Sequence, residues 1–204
     1  MELSNRIRQL KTSPTRKLNP YAEEAERKGI KIYHLNIGQP DIETPKLFFD
    51  AIGKYNGKTL SYSHSRGIKP LLQKIQRYYD KMGIHYEEDE IVITYGGSEA
   101  VLFTMLAVFD EGDEILVAEP YYANYNSFCD LLNVKRNAVR TYAENGFHLP
   151  NREEIEKHIT PKTKAYMFSN PSNPTGVVST KRELDDIAYL SKKHNMFIIS
   201  DEVY

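Results

Sequence analysis

Three short segments hold side chains whose types and spacing suit chemistry. Thr94-Tyr95-Gly96-Gly97-Ser98-Glu99-Ala100 stands between an apolar run and an apolar helical pattern. Its two glycines let an anion approach the backbone, Ser98 can cap the helix, and the first-turn N–H groups favour a phosphate. The same residues also suit an ordinary tight strand–helix turn. Asn170-Pro171-Ser172-Asn173-Pro174-Thr175-Gly176 follows the apolar run Ala165–Phe168. Its prolines fix the backbone, and Asn173 offers an amide donor and acceptor where ligands of parallel sheets bind. A plain proline-rich loop is the alternative. Asp201 ends another apolar run, with Tyr204 three residues later. In a dry cleft its carboxylate needs a cationic partner; a solvated strand end is the commoner fate.

The elements that must carry these segments follow from hydrophobic periodicity. Residues 1–18 are polar, carry Pro14 and read as an extended arm. A helix over Tyr21–Lys28 should stop at Gly29, and Lys31–Asn36 reads as a strand running into the loop Ile37–Asp41. Pro45 opens a helix ending near Gly57, and Ile68, Leu71, Leu72 and Ile75 recur at helical spacing. From residue 90 onward, apolar runs alternate with helical patterns. The strands expected are Ile91–Thr94, Ile115–Ala118, Val134–Arg140, Ala165–Phe168 and Met196–Ile199. The helices expected are Ser98–Phe109, Tyr122–Leu132, Arg152–His158 and Arg182–His194. This alternation implies an α/β fold of three layers, a mainly parallel sheet with helices on both faces. The strand ending at Asp201 should be central. No helix follows it in the sequence, so the expectation is an incomplete domain.

Composition removes several function classes. The 204 residues carry 27 basic and 28 acidic side chains, a net charge of −1. That balance speaks against nucleic-acid or polybasic membrane binding. With 40% hydrophobic and 11% aromatic residues the chain is not a disordered one. The single Cys129 permits no internal disulfide, and a reducing compartment is expected. No apolar run approaches the ~20 residues that span a bilayer, and the first residues lack the apolar core of a secretion signal. A cytoplasmic location is therefore expected. Gly53-x-x-x-Gly57-Lys58-Thr59 is one residue short of a phosphate-binding loop and follows a helix. The six histidines show no metal-ligand spacing, so no metal is expected.

Together the three segments, in this order, resemble the pyridoxal-phosphate enzymes of fold type I, and within them the class I/II aminotransferases of the aspartate aminotransferase kind. Leu35-Asn36-Ile37-Gly38-Gln39-Pro40-Asp41-Ile42-Glu43-Thr44-Pro45, Tyr62–Gly67 and Glu119-Pro120-Tyr121-Tyr122 match further motifs of that family. The resemblance runs from about Pro14 to Tyr204. It implies a pyridoxal 5'-phosphate cofactor bound by Gly97, Ser98, Tyr122, Asn173, Asp201, Tyr204 and Tyr62. Gly97 and Ser98 would hold the phosphate, and Tyr122 would stack on the pyridine where many relatives have tryptophan. Asn173 and Tyr204 would donate to the ring oxygen, and Asp201 would pair with the ring nitrogen. Gly38, Tyr122 and Asn173 would meet the substrate. Tyr62 would reach the cofactor of a neighbouring subunit, implying a homodimer.

The resemblance also implies residues 1–45 as an arm and the start of a small domain, and 46–204 as the first part of the large domain. The family's Schiff-base lysine falls in a motif after Asp-x-x-Tyr, and no lysine of this chain matches it. The implied reaction moves an amino group from an amino acid to a 2-oxo acid. C–S lysis or decarboxylation on the same fold, or a non-catalytic fragment, are the alternatives. A nucleotide-binding dehydrogenase is disfavoured by the lack of a glycine fingerprint with a later acidic residue.

Overall fold

The structure, a computed structural model, describes residues 2–9, 16–36 and 38–204. Pro14 and Ile37 lie outside the described residues. Two compact units are present: residues 1–24 with 95–204, and residues 25–94.

The first unit is built on four parallel strands, β1 (Glu114–Glu119), β2 (Lys135–Arg140), β3 (Thr163–Ser169) and β4 (Phe197–Asp201). They lie in the order β2-β1-β3-β4. β1 therefore has β2 on one side and β3 on the other. The chain leaves β1 in one direction and later returns to its opposite side. Such a reversal opens a crevice beyond the carboxyl ends of the strands.

Helices cover both faces. On one, Ile115, Val117, Ala165 and Met167 pack with Met105 of α5 (Gly97–Val108) and Tyr125 and Cys129 of α6 (Asn124–Leu132). On the other, Leu116, Val139 and Tyr166 pack with Ile155 of α7 (Arg152–Glu156) and Ile187 and Leu190 of α8 (Lys181–Lys193). Alternate residues of β1 and β3 thus feed two separate cores, which is the period-2 geometry of a strand buried on both faces. Truncating a fully buried anchor such as Ile155 would cost about 2–5 kcal/mol. The α/β architecture expected from the sequence is the one observed.

Several elements differ from expectation. The amino-terminal segment is not wholly extended: Ser4 starts a short helix, α1 (Asn5–Gln9), its hydroxyl accepting from Ile7 N–H at 3.3 Å. A 3-10 turn, Arg16–Leu18, leads into α2 (Asn19–Arg27), and Gly29 with φ 77° ends it as anticipated. β4 is an edge of the sheet among the described residues, not its centre.

The second unit holds α3 (Lys46–Gly53), opened by Pro45, and α4 (Lys69–Asp80), whose Leu72 is buried. Neither Lys31–Asn36 nor Ile91–Thr94 forms a strand. Most of the first is exposed and has no ladder partner among the described residues. In the second, Ile93 N–H donates to the Arg66 carbonyl at 2.8 Å. Gly67 is required there: its φ is 123°, and a Cβ would meet Ile93 Cγ1 at 2.4 Å.

Candidate functional site

The crevice at the β1/β3 reversal is bordered by the segments that follow those strands. After β1, Pro120-Tyr121-Tyr122 turns directly into α6. Tyr125 N–H donates to the Tyr122 carbonyl at 3.0 Å. The rings of Tyr122 and Tyr125 meet edge to face, with centroids 5.5 Å apart, and Tyr121 stacks on Tyr125 from 6.3 Å. Asn124 Nδ2 donates to the Tyr122 phenol at 2.8 Å, which fixes the tilt of that half-buried ring.

After β3, the Asn-Pro loop is tied down at every turn. Ser179 N–H donates to Asn170 Oδ1 at 3.0 Å, Ser172 N–H to the Val177 carbonyl at 2.9 Å, and Gly176 N–H to the Ser172 carbonyl at 2.7 Å. The Asn170–Pro171 and Asn173–Pro174 peptides are cis. Asn173 N–H donates to Ser169 Oγ at 3.1 Å, and its side-chain Nδ2 donates to the Tyr204 hydroxyl at 2.6 Å. Asn173 and Tyr204, 31 positions apart, are thus brought together.

Asp201 closes β4 and pairs in register with Ser169 at the end of β3. The Tyr125 phenol donates to Asp201 Oδ2 at 2.7 Å, and Asn170 N–H donates to the Asp201 carbonyl at 3.1 Å. Burial pushes the Tyr125 phenol well above its ordinary pKa of 10, and its bond to Asp201 adds to the shift. That proton stays on Tyr125 and holds one carboxylate oxygen. Beneath lies Cys129, whose thiol burial raises to about 11, so it is neutral packing and no nucleophile.

The glycine segment opens α5. Gly96 has φ 79°, a left-handed conformation that favours glycine. The helix has no side-chain cap, so the N–H groups of Gly97 and Ser98 have no partner within the helix. A Cβ at Gly96 or Gly97 would meet nothing within 4 Å, so the space over this first turn is open. Glu99 folds back to accept from Tyr95 N–H at 2.7 Å. Val101, one turn further, packs in the same core as Tyr122 and Ile199, which sets the start of α5 against that core.

Of the residues singled out from sequence, Gly97, Ser98, Tyr122, Asn173, Asp201 and Tyr204 all lie in the first unit. Tyr122 and Asp201 meet through Tyr125, and Asn173 meets Tyr204 directly. Gly38 and Tyr62 belong to the second unit, where both are exposed. Sequence reasoning missed Tyr125, Ser169 and Asn124. Tyr125 carried a faint signal, since it stands three residues after Tyr122, one helical turn on the same face.

The chain matches the family described as aminotransferase class I and II over residues 30–204. It is 33% identical over 205 residues to an aspartate/prephenate aminotransferase of Thermus thermophilus, covering 99% of this chain and 53% of that one. It is 35% identical over 207 residues to aromatic-amino-acid aminotransferase 2 of Thermococcus litoralis, covering 100% and 52%. The solved aspartate aminotransferase of Thermotoga maritima superposes with a TM-score of 0.91 at 33% identity, covering 99% of this chain and 54% of that one. The chain thus spans about half the length of the relatives it matches. Family match, relatives' identity and superposed fold agree over nearly every residue described above: the chain belongs to the class I and II aminotransferases.

Proposed function

We propose that this chain forms part of an aminotransferase that moves an amino group from an amino acid to a 2-oxo acid using pyridoxal phosphate. The observation that carries the reading is the gathering of Tyr122, Tyr125, Asn173, Asp201 and Tyr204 beyond the carboxyl ends of β1, β3 and β4. The donor set suits the cofactor. The open, uncapped first turn of α5 offers N–H groups to a phosphate. The Asn173–Tyr204 pair offers polar hydrogens to a ring oxygen, and Asp201 offers a carboxylate to a protonated ring nitrogen. When bound, the cofactor supplies an electron sink for the bonds around an amino acid's α-carbon.

The protein's share is orientation and charge. Asp201 would hold a proton at the ring nitrogen, its carboxylate held in place by the Tyr125 hydroxyl at Oδ2. Tyr122, restrained by Asn124, would cover one face of the ring and exclude water from it. Gly38 and Asn173 would meet the substrate carboxylate. The relatives' names differ in substrate (aspartate or prephenate, aromatic amino acids), so the amino donor is left to experiment. Domain limits at residues 1–45 and 46–204, a homodimer sharing Tyr62, and a cytoplasmic location belong to the same proposal. Among the described residues no helix is long and apolar enough to cross a membrane.

The test is spectroscopic. Full-length protein should bind pyridoxal phosphate stoichiometrically, and an amino acid should change that absorption while releasing its 2-oxo acid in equal amount. Release of ammonia, a thiol or carbon dioxide instead would replace aminotransfer by another reaction. A hybrid dimer tests Tyr62. One subunit carries Tyr62→Phe and the other lacks the cofactor lysine, so the single competent site should borrow the intact Tyr62 and work normally. If that site shows the Tyr62→Phe defect, the tyrosine is not shared.

A further inference from the structure

We propose that Asn124 is a positioning residue: its side-chain amide donates to the Tyr122 phenol and so leaves the Tyr122 proton free for the carboxylate of an amino-acid substrate. The substrate half of this inference rests on the aminotransferase reading; the polarity of the hydrogen bond does not.

The chain turns from β1 into α6 through two adjacent tyrosines, and α6 carries no side-chain cap of its own. Two asparagines of its first turn reach back to those tyrosines instead, with opposite polarity. Tyr121 donates to Asn126 Oδ1 at 2.7 Å, so its proton is spent within the protein. Burial pushes the Tyr121 phenol above its ordinary pKa of 10, and that proton stays. Tyr122 does the reverse, accepting from Asn124 Nδ2 at 2.8 Å. A phenol oxygen that accepts still carries its own proton to give. Tyr125, three residues on, donates to Asp201 Oδ2 at 2.7 Å. Of these three tyrosines, Tyr122 alone keeps a proton with no acceptor among the described residues.

The polarity matters because of what the cleft would receive. Every amino acid and 2-oxo acid carries a carboxylate, which accepts hydrogen bonds and gives none. Tyr121 and Tyr125 have no proton left to offer it. Tyr122 follows the carboxyl end of β1, where ligands of such sheets bind, with its donor uncommitted. An acceptor at position 124 would take that proton and leave only phenol lone pairs to face the substrate. The carboxylate is unchanged by aminotransfer, so its bond serves ground and transition states alike. Losing it should appear in KM and not in kcat.

The experiment uses full-length protein. Tyrosines are labelled at Cζ, and the Tyr122 resonance is assigned by its loss in Tyr122→Phe. Asn124→Asp replaces a donor by a side chain of the same shape that can only accept, so it reverses the bond. The Tyr122 resonance should move toward the phenolate side. KM for aspartate or phenylalanine, whichever turns over, should rise about 10-fold or more, with kcat within about 3-fold. Two controls isolate the bond from the added charge. Asn126→Asp puts the same charge in the same turn but still accepts from Tyr121, and should leave KM near wild type. In a Tyr122→Phe background, itself raised about 10-fold in KM, Asn124→Asp should add less than about 2-fold. An amide facing the other way, with Oδ1 accepting the phenol proton, would make Asn124→Asp nearly silent in both readouts, and that result overturns the proposal. So would an Asn126→Asp protein as impaired as Asn124→Asp, or effects that multiply in the Tyr122→Phe background. If the resonance responds and neither amino acid turns over, the bond polarity stands, the aminotransferase reading falls, and the substrate role falls with it.

Discussion

Asp201 accepts a hydrogen bond from the Tyr125 hydroxyl at Oδ2, 2.7 Å away, and from Val203 N–H at Oδ1, 3.3 Å away. An amide in its place keeps the shape but loses the charge that would hold a ring proton. A charge-assisted bond in a water-poor cleft is worth about 1.5–3 kcal/mol. In the full-length protein, Asp201→Asn should therefore weaken cofactor binding by roughly 10- to 100-fold and lower turnover by more, since charge moves in the transition state. Asp201→Glu should be milder. Glu202 is the control: it is exposed and accepts from Ser200 Oγ at 3.0 Å. Near-normal turnover in Asp201→Asn beside a crippled Glu202→Gln would mean the wrong carboxylate was chosen. Asp201, Asn173 and Tyr122 could be singled out from the sequence because each sits in a short motif of unusual residues. Tyr125 could not, because its meaning lies in a partner 76 positions away. On a helix, a buried tyrosine reads as core until that partner is seen.

At the scale of elements, α8 shows how one side chain can hold several segments. Glu183, buried, accepts from Thr180 N–H at 2.7 Å and from Leu149 N–H at 2.6 Å, and contacts His148 Nδ1 at 3.1 Å. Burial pushes its pKa up, but the bonds from Thr180, Leu149 and His148 outweigh that and leave it below the ordinary 4.5. A carboxylate depressed in the folded state adds stability above its unfolded pKa and loses it as pH falls through the folded value. Glu183→Gln should thus cost about 1–3 kcal/mol at pH 7. The gap to wild type should shrink below about pH 4. Urea unfolding at both pH values checks this, and a constant gap would remove Glu183 as the source. Most helices and all four strands were legible from period and punctuation. The two strands expected at Lys31–Asn36 and Ile91–Thr94 were not real, because periodicity records an extended apolar run and not the neighbour that must pair with it. Ile93 spends its N–H on Arg66 instead.

At the scale of the whole molecule, the apolar surface is the feature composition did not disclose. Helix α5, Gly-Ser-Glu-Ala-Val-Leu-Phe-Thr-Met-Leu-Ala-Val, is apolar on all sides. Met105 faces the core, while Phe103 and Leu106 are about half exposed, at 50% and 57%. A helix of that kind is normally buried all round. On β4, Phe197 is 61% exposed and Ile198 45%, on a strand whose outer edge has no ladder partner among the described residues. Open edges with apolar side chains are templates for pairing with other chains, and apolar patches of this kind associate. The 204-residue chain, produced by itself, should therefore self-associate at roughly micromolar concentration and bind an apolar dye. Phe197→Lys puts a charge on the edge, the device natural edge strands use to block pairing. It should lower both association and dye binding without changing secondary structure, because the side chain it replaces stands largely in water. Sedimentation of the two chains at equal concentration, with circular dichroism as the check on folding, decides the matter. A monomeric, dye-silent unmodified chain would show that these side chains are covered by its own fold.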